Sequence, residues 1–167
     1  ETELEAKFWP AFKGKIFEEA TRVFTRLLRG DVLSSDDVPV QVLTRENFRS
    51  DEDWATAREM AGGVDAIEVK KRFVFESLKI VPQEFRRDLL QLVIGSHDPA
   101  LQELANTVLP VQVFNLSITR SEVIEDTHAR LAKAYHADGG PWRREYMPRT
   151  VFVFLNDEAG SPEDCRR

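Results

Sequence analysis

His136 and Asp138, an imidazole and a carboxylate two positions apart, are the residues of this chain whose types and spacing most readily suggest chemistry. In an extended segment the side chains at i and i+2 point the same way, so a ring nitrogen and a carboxylate oxygen can close on one divalent metal ion. The same residues also suit a plainer role at the end of a helix. A histidine in the last turn interacts favourably with the carbonyl end of the helix dipole, and Asp138-Gly139-Gly140-Pro141 is a common exit from a helix. The two readings part on whether the backbone at 136 is extended or helical.

Four residues just downstream offer a second candidate. Trp142, Arg143, Arg144 and Tyr146 combine aromatic and cationic side chains of the sort that anchor protein interfaces, or else close a loop over the core. Arg130 and His136 have the Arg-x5-His spacing that resembles HEPN-type ribonucleases, which would imply a helical bundle and phosphodiester cleavage. His97 and His128 read as a loop residue and a helix-surface residue. Gly62-Gly63 and Gly139-Gly140 follow helical patterns instead of opening them, so neither pair makes the helix-start anion site of a phosphate loop.

The elements that must position these groups are legible from periodicity. Phe8, Phe12, Ile16, Ala20, Val23, Phe24, Leu27 and Leu28 recur at three and four residues, which predicts a short lead-in and a main helix from about residue 10 to Arg29. Pro10 fits its first turn and Gly30 its end. A loop over 31–39 leads to a short strand at 40–43, and Asn47 or Ser50 caps a helix through Trp54, Ala57 and Met60. The β-branched and aromatic runs 66–69 and 72–75 read as extended.

Pro82, Phe85, Leu89, Leu92 and Val93 follow helical spacing as far as Gly95, and Asp98-Pro99 starts another short helix that Pro110 ends. A strand at 111–114, a helix over 121–135 and a strand at 150–155 complete the pattern. Pro39-Val40-Gln41-Val42 recurs as Pro110-Val111-Gln112-Val113, an echo compatible with a duplicated unit. The expected fold class is α+β: one mixed α/β domain over 1–167 with a long N-terminal helix and a small β-sheet.

Composition narrows the classes of function. With 167 residues, 42% of them apolar, the chain can bury a core of its own. A net charge of −6 opposes sequence-independent binding to nucleic acid, which depends on surplus Lys and Arg. Lys70-Lys71-Arg72, Arg86-Arg87 and Arg143-Arg144 are short basic clusters interrupted by acids and read as solvated surface. Cys165 is the sole cysteine, so no intrachain disulfide forms, and a reducing, intracellular compartment is expected. No apolar run suggests a membrane span, and the first residues lack the pattern of a signal peptide. Because residue 1 is Glu, a domain excised from a longer chain or a processed product is expected.

Tyr135-His136-Ala137-Asp138-Gly139-Gly140, followed by Arg149-Thr150-Val151-Phe152-Val153-Phe154-Leu155-Asn156-Asp157, resembles the core of iron and 2-oxoglutarate dependent oxygenases of the prolyl-hydroxylase type. The resemblance covers residues 109–157. It implies that His136 and Asp138 ligate Fe(II), that 2-oxoglutarate is the co-substrate, and that 150–156 is a strand of a double-stranded β-helix. The family's second metal histidine and its oxo-acid-binding basic residue lie well downstream, and no histidine follows His136 here. The Gly-Gly-Glu-Thr segment after the family's Leu-Asn-Asp strand is also absent, and a helix over 121–135 stands where the family has a short strand and turn. What the resemblance implies is therefore an incomplete hydroxylase core, inactive alone. The reading from another class is a non-catalytic acidic domain that binds a protein partner through Trp142, Arg143, Arg144 and Tyr146.

Overall fold

The computed structural model describes residues 2–72 and 74–153. Helix α1 (Glu3–Lys7) starts at a capping box, in which the Thr2 hydroxyl accepts from the Glu5 amide and the Glu5 carboxylate accepts from the Thr2 amide. Helix α2 (Trp9–Arg29) takes Pro10 in its first turn and stops at Gly30, whose φ of 112° is a left-handed conformation that favours glycine. The predicted main helix is thus found at its predicted bounds. Phe12, Thr21, Thr25 and Leu28 lie on its buried face.

Strands β1 (Gln41–Leu43) and β2 (Ile67–Val69) pair antiparallel, with Leu43 opposite Ile67 and Gln41 opposite Val69. Between them runs helix α3 (Asp51–Met60), capped by the Ser50 hydroxyl and carrying Asp51, Glu52 and Asp53 where the helix dipole favours negative charge. Phe8, Phe12, Leu43, Phe48, Ala57 and Val69 form one buried cluster, in which Phe8 and Phe48 meet edge to face at 5.4 Å.

The second half repeats the materials in another arrangement. Strands β3 (Leu92–Ile94) and β4 (Val111–Val113) pair in parallel, Leu92 opposite Val111 and Ile94 opposite Val113. Their crossover is helix α4 (Pro99–Ala105), which the Asp98 carboxylate caps by accepting from the Ala100 amide at 2.9 Å. Helix α5 (Ser121–Ala134) follows, and Leu131 joins Ile94, Leu101, Ala105, Val111 and Val113 in a second buried cluster. Helices with two small two-stranded sheets make the chain α+β. None of the described helices is long and apolar enough to cross a membrane.

Three expectations need correction. The helical spacing from Pro82 to Gly95 gives no α-helix; a single 3-10 turn at Arg87–Leu89 is followed directly by β3. β-branched Val93 and Ile94 gain more by pairing with β4 than by continuing a helical turn. In the run 72–75, Val74 and Phe75 belong to no strand, and Phe73 lies outside the described residues. Instead Phe75 is held by Ser35, whose amide and hydroxyl both meet its backbone, at 2.9 Å to the carbonyl and 2.7 Å to the amide. Of the expected strand at 150–155, residues 154 and 155 lie outside the described residues. Residues 150–153 form no ladder and follow a single parallel bridge between Asn115 and Arg149.

Candidate functional site

Helix α5 sets the position of His136 by ending just before it. Its last turn closes on the Tyr135 amide, which donates to the Leu131 carbonyl at 2.9 Å, and Tyr135 and His136 then adopt extended backbone with ψ of 137° and 134°. The backbone at 136 is therefore extended, and the histidine leads into a one-turn 3-10 helix, Ala137–Gly139. Its ring folds back over that turn. The Asp138 amide donates to His136 Nδ1 at 3.3 Å, and the Asp138 carboxylate comes within 3.7 Å of the same nitrogen. The two groups that the sequence singles out face one another. The His136 side chain is 23% exposed and that of Asp138 is 77% exposed, so the pair opens to solvent on its carboxylate side.

Asn106, one residue past α4, holds this turn to the core. Its carboxamide oxygen accepts from the Val111 amide at 3.0 Å and the His136 amide at 3.4 Å, while its nitrogen donates to the carbonyls of Gln102 and Val111, both at 3.0 Å. All four bonding positions of this buried side chain are used. Asn106 thereby ties α4, β4 and the start of the His136 turn together. Nothing local in the sequence marks it, because its partner at 136 is 30 residues away.

Gly139 is required by close approach. A Cβ there would lie 2.6 Å from the Tyr135 hydroxyl oxygen, so only glycine lets that ring lie over the turn. Tyr135 packs against Trp142 and Tyr146, with ring centroids 4.9 and 5.5 Å away, and burial, with Tyr146 adding to it, raises its hydroxyl pKa above the ordinary tyrosine value. Trp142 Nε1 donates to His128 Nδ1 at 2.8 Å. His128, read from sequence as a helix-surface residue, is half-buried and serves as the acceptor that orients Trp142.

The remaining sequence candidates are distributed around this aromatic group. Tyr146 is half-buried within it, Arg143 is exposed, and Arg144 makes a two-pronged ion pair with Glu125 at 2.6 and 2.7 Å. Arg130 turns away from His136 towards α4, where it meets Gln102, Glu103 and the Pro99 carbonyl. His97 lies exposed in the loop before α4, and Cys165 lies outside the described residues.

Chemically, an imidazole nitrogen and a carboxylate oxygen 3.7 Å apart can both reach one ion at the usual ligand distance of about 2.1 Å. The donor set is one nitrogen and one oxygen, which suits an intermediate metal such as divalent iron. The single lone pair of Nδ1 accepts from the Asp138 amide, so a metal ion bound there would take the place of that hydrogen bond. Among the described residues, no group of three His, Cys, Asp or Glu side chains converges as a metal site. An open cleft of about 500 Å³ adjoins the turn, with Tyr135, Asp138, Gly139 and Tyr146 on one wall. No protein family, curated protein or solved structure matches this chain.

Proposed function

We propose that this chain is an oxygenase-like domain contributing two protein ligands, His136 and Asp138, to a mononuclear Fe(II) centre of the 2-oxoglutarate-dependent, prolyl-hydroxylase type. The observation that carries the proposal is the 3.7 Å approach of the Asp138 carboxylate to His136 Nδ1, made by a 3-10 turn that begins at the extended backbone of His136. When bound, iron would supply the chemistry of C–H hydroxylation, with O₂ as the oxidant and the oxo-acid as the co-reductant that is decarboxylated. The chain's own part is to present one nitrogen and one oxygen donor, to fix the backbone of the first through Asn106, and to leave the carboxylate side open. Two ligands do not close a catalytic centre, so weak metal binding without turnover is expected of the chain alone.

Mn(II) tests this directly, since it is redox-inert here and broadens nearby NMR signals. Millimolar Mn(II) is expected to broaden the amides of residues 136–139 selectively and, with 2-oxoglutarate, to raise Tm by mass action. His136→Ala and Asp138→Asn should each abolish both effects. Absence of selective broadening in the wild-type chain sinks the reading.

A second reading, a non-catalytic domain that binds a protein partner, draws on exposed Arg143 beside half-buried Trp142 and Tyr146. In it, Arg143→Ala weakens partner binding at unchanged Tm; undiminished binding by that variant counts against it.

A further inference from the structure

We propose that the cleft between the end of α2, residues 87–92 and the turn from Tyr135 to Tyr146 binds a small organic monocarboxylate with an apolar body, through Arg87. The cleft encloses about 500 Å³, within the range of small-molecule sites. Leu28, Leu92, Leu109 and Pro110 supply its apolar wall.

The charges of the lining favour a monoanion. Arg29 is paired with Asp31 at 2.6 Å and Arg86 with Asp88 at 2.5 Å, so each of those charges is already answered. Arg87 has no acidic partner among the described residues. Its guanidinium is nevertheless held rigidly: Nε donates to the Leu28 carbonyl and one Nη2 hydrogen to the Gln83 carbonyl, both at 2.9 Å, and the Phe85 ring lies 4.3 Å from Cζ. Gly30 leaves room for it, since a Cβ there would stand 3.0 Å from Nη2.

Of the five guanidinium N–H groups, three have no acceptor among the described residues, and they belong to the two terminal nitrogens. A planar carboxylate fits two such donors side by side, and a fork already ordered by Leu28 and Gln83 loses little entropy on binding. The Tyr135 and Tyr146 hydroxyls, of residues that also line the cleft, likewise make no hydrogen bond among the described residues. Burial keeps the Tyr135 hydroxyl protonated and so a donor. A phosphate dianion is disfavoured, because Arg87 alone would answer its two charges while the carboxylate of Asp138 shares the lining.

This site needs no metal, so it is tested in EDTA and stands or falls apart from the iron reading. The probes are phenylacetate and its neutral isostere phenylacetamide, titrated into the intact 15N-labelled chain. Phenylacetate is expected to shift the amides of Gln91, Leu92, Gln112 and Gly139 saturably, at least about tenfold more tightly than the amide, which is about 1.4 kcal/mol. Arg87→Gln should bring the acid down to the amide's affinity, and Tyr146→Phe should weaken it severalfold at unchanged Tm. Equal affinities for acid and amide, shifts centred elsewhere, or no saturation at tens of millimolar overturn the proposal. Should Arg87→Gln unfold by losing its bond to α2, the wild-type salt dependence decides. Phenylacetate affinity that fails to fall between about 20 mM and about 0.5 M salt overturns it equally.

Discussion

Pro39-Val40-Gln41-Val42 and Pro110-Val111-Gln112-Val113 are the same four residues, and the fold turns them to opposite faces. In the first, Gln41 is 6% exposed while Val40 and Val42 are 51% and 41% exposed; in the second, Val111 and Val113 are 4% and 0% exposed. The next contacts explain the difference. Leu43 must face Phe12 and Val69 in the first cluster, and in a strand the residue two before it shares that face, which places Gln41 inside. In β4 the valines themselves meet Ile94, Leu101 and Leu131. Strand pairing differs as well, antiparallel with a later strand in one half and parallel with an earlier strand in the other. The two copies thus share strand-forming residues but neither facing nor pairing. The consequence is functional: turning the valines inward sends Gln112 outward into the cleft that also holds Asp138 and Arg87.

The sharpest way to break this comparison is the same substitution at the matching positions. Val113→Gln places an amide where no surface is exposed and is expected to cost about 3 kcal/mol. Val42→Gln, already facing solvent, should cost less than about 0.5 kcal/mol. Urea denaturation of the two variants measures both, and similar losses would mean that the two strands face alike.

Polar anchoring provides the next contrast. Asn106→Ala leaves the Val111 and His136 amides without their acceptor and is expected to cost about 2 kcal/mol. It should also blunt Mn(II) broadening at residues 136–139. The first half has a local counterpart in Ser50, where replacement by Ala should cost about 1 kcal/mol as the loss of a helix cap. A smaller loss at 106 than at 50 contradicts the role given to Asn106 at the site.

Charge provides the smallest effect. The Arg29 side chain, followed by Arg26, holds the Asp31 carboxyl below the usual aspartate pKa, against the opposing influence of partial burial. A carboxyl whose folded pKa is lowered stabilises the fold above its unfolded value, about 3.9, and loses that contribution as pH falls through the lower folded value. Asp31→Asn should therefore reduce stability by less than about 1 kcal/mol near neutrality, with the gap to wild type closing as pH falls below about 4. In the second half, Arg144 lowers the Glu125 carboxyl in the same direction, but on an open surface, and Glu125→Gln should leave the pH profile of Tm unchanged. A gap for Asp31→Asn that widens in acid would reverse the sign worked out here.

Several features were fixed by residues close together in the chain. The stripe from Phe8 to Leu28 with Pro10 and Gly30 specified α2, Ser50 and Asp98 specified helix starts, and the spacing of His136 and Asp138 identified the pair whose side chains do meet. Each of these depends on interactions within a few residues, which is where helical periodicity, caps and tight turns act. Other features required partners from elsewhere. Residues 92–94 had helical spacing and became a strand because β4 was available to pair with them. Gln41 and Gln112 took opposite faces because different clusters lay beneath identical segments. Asn106 reaches His136 over 30 residues, and Arg87 reaches the Leu28 carbonyl over 59. Such contacts form only once the chain has closed long loops, so their energy comes from the packed whole and leaves no periodic mark on the segments that make them.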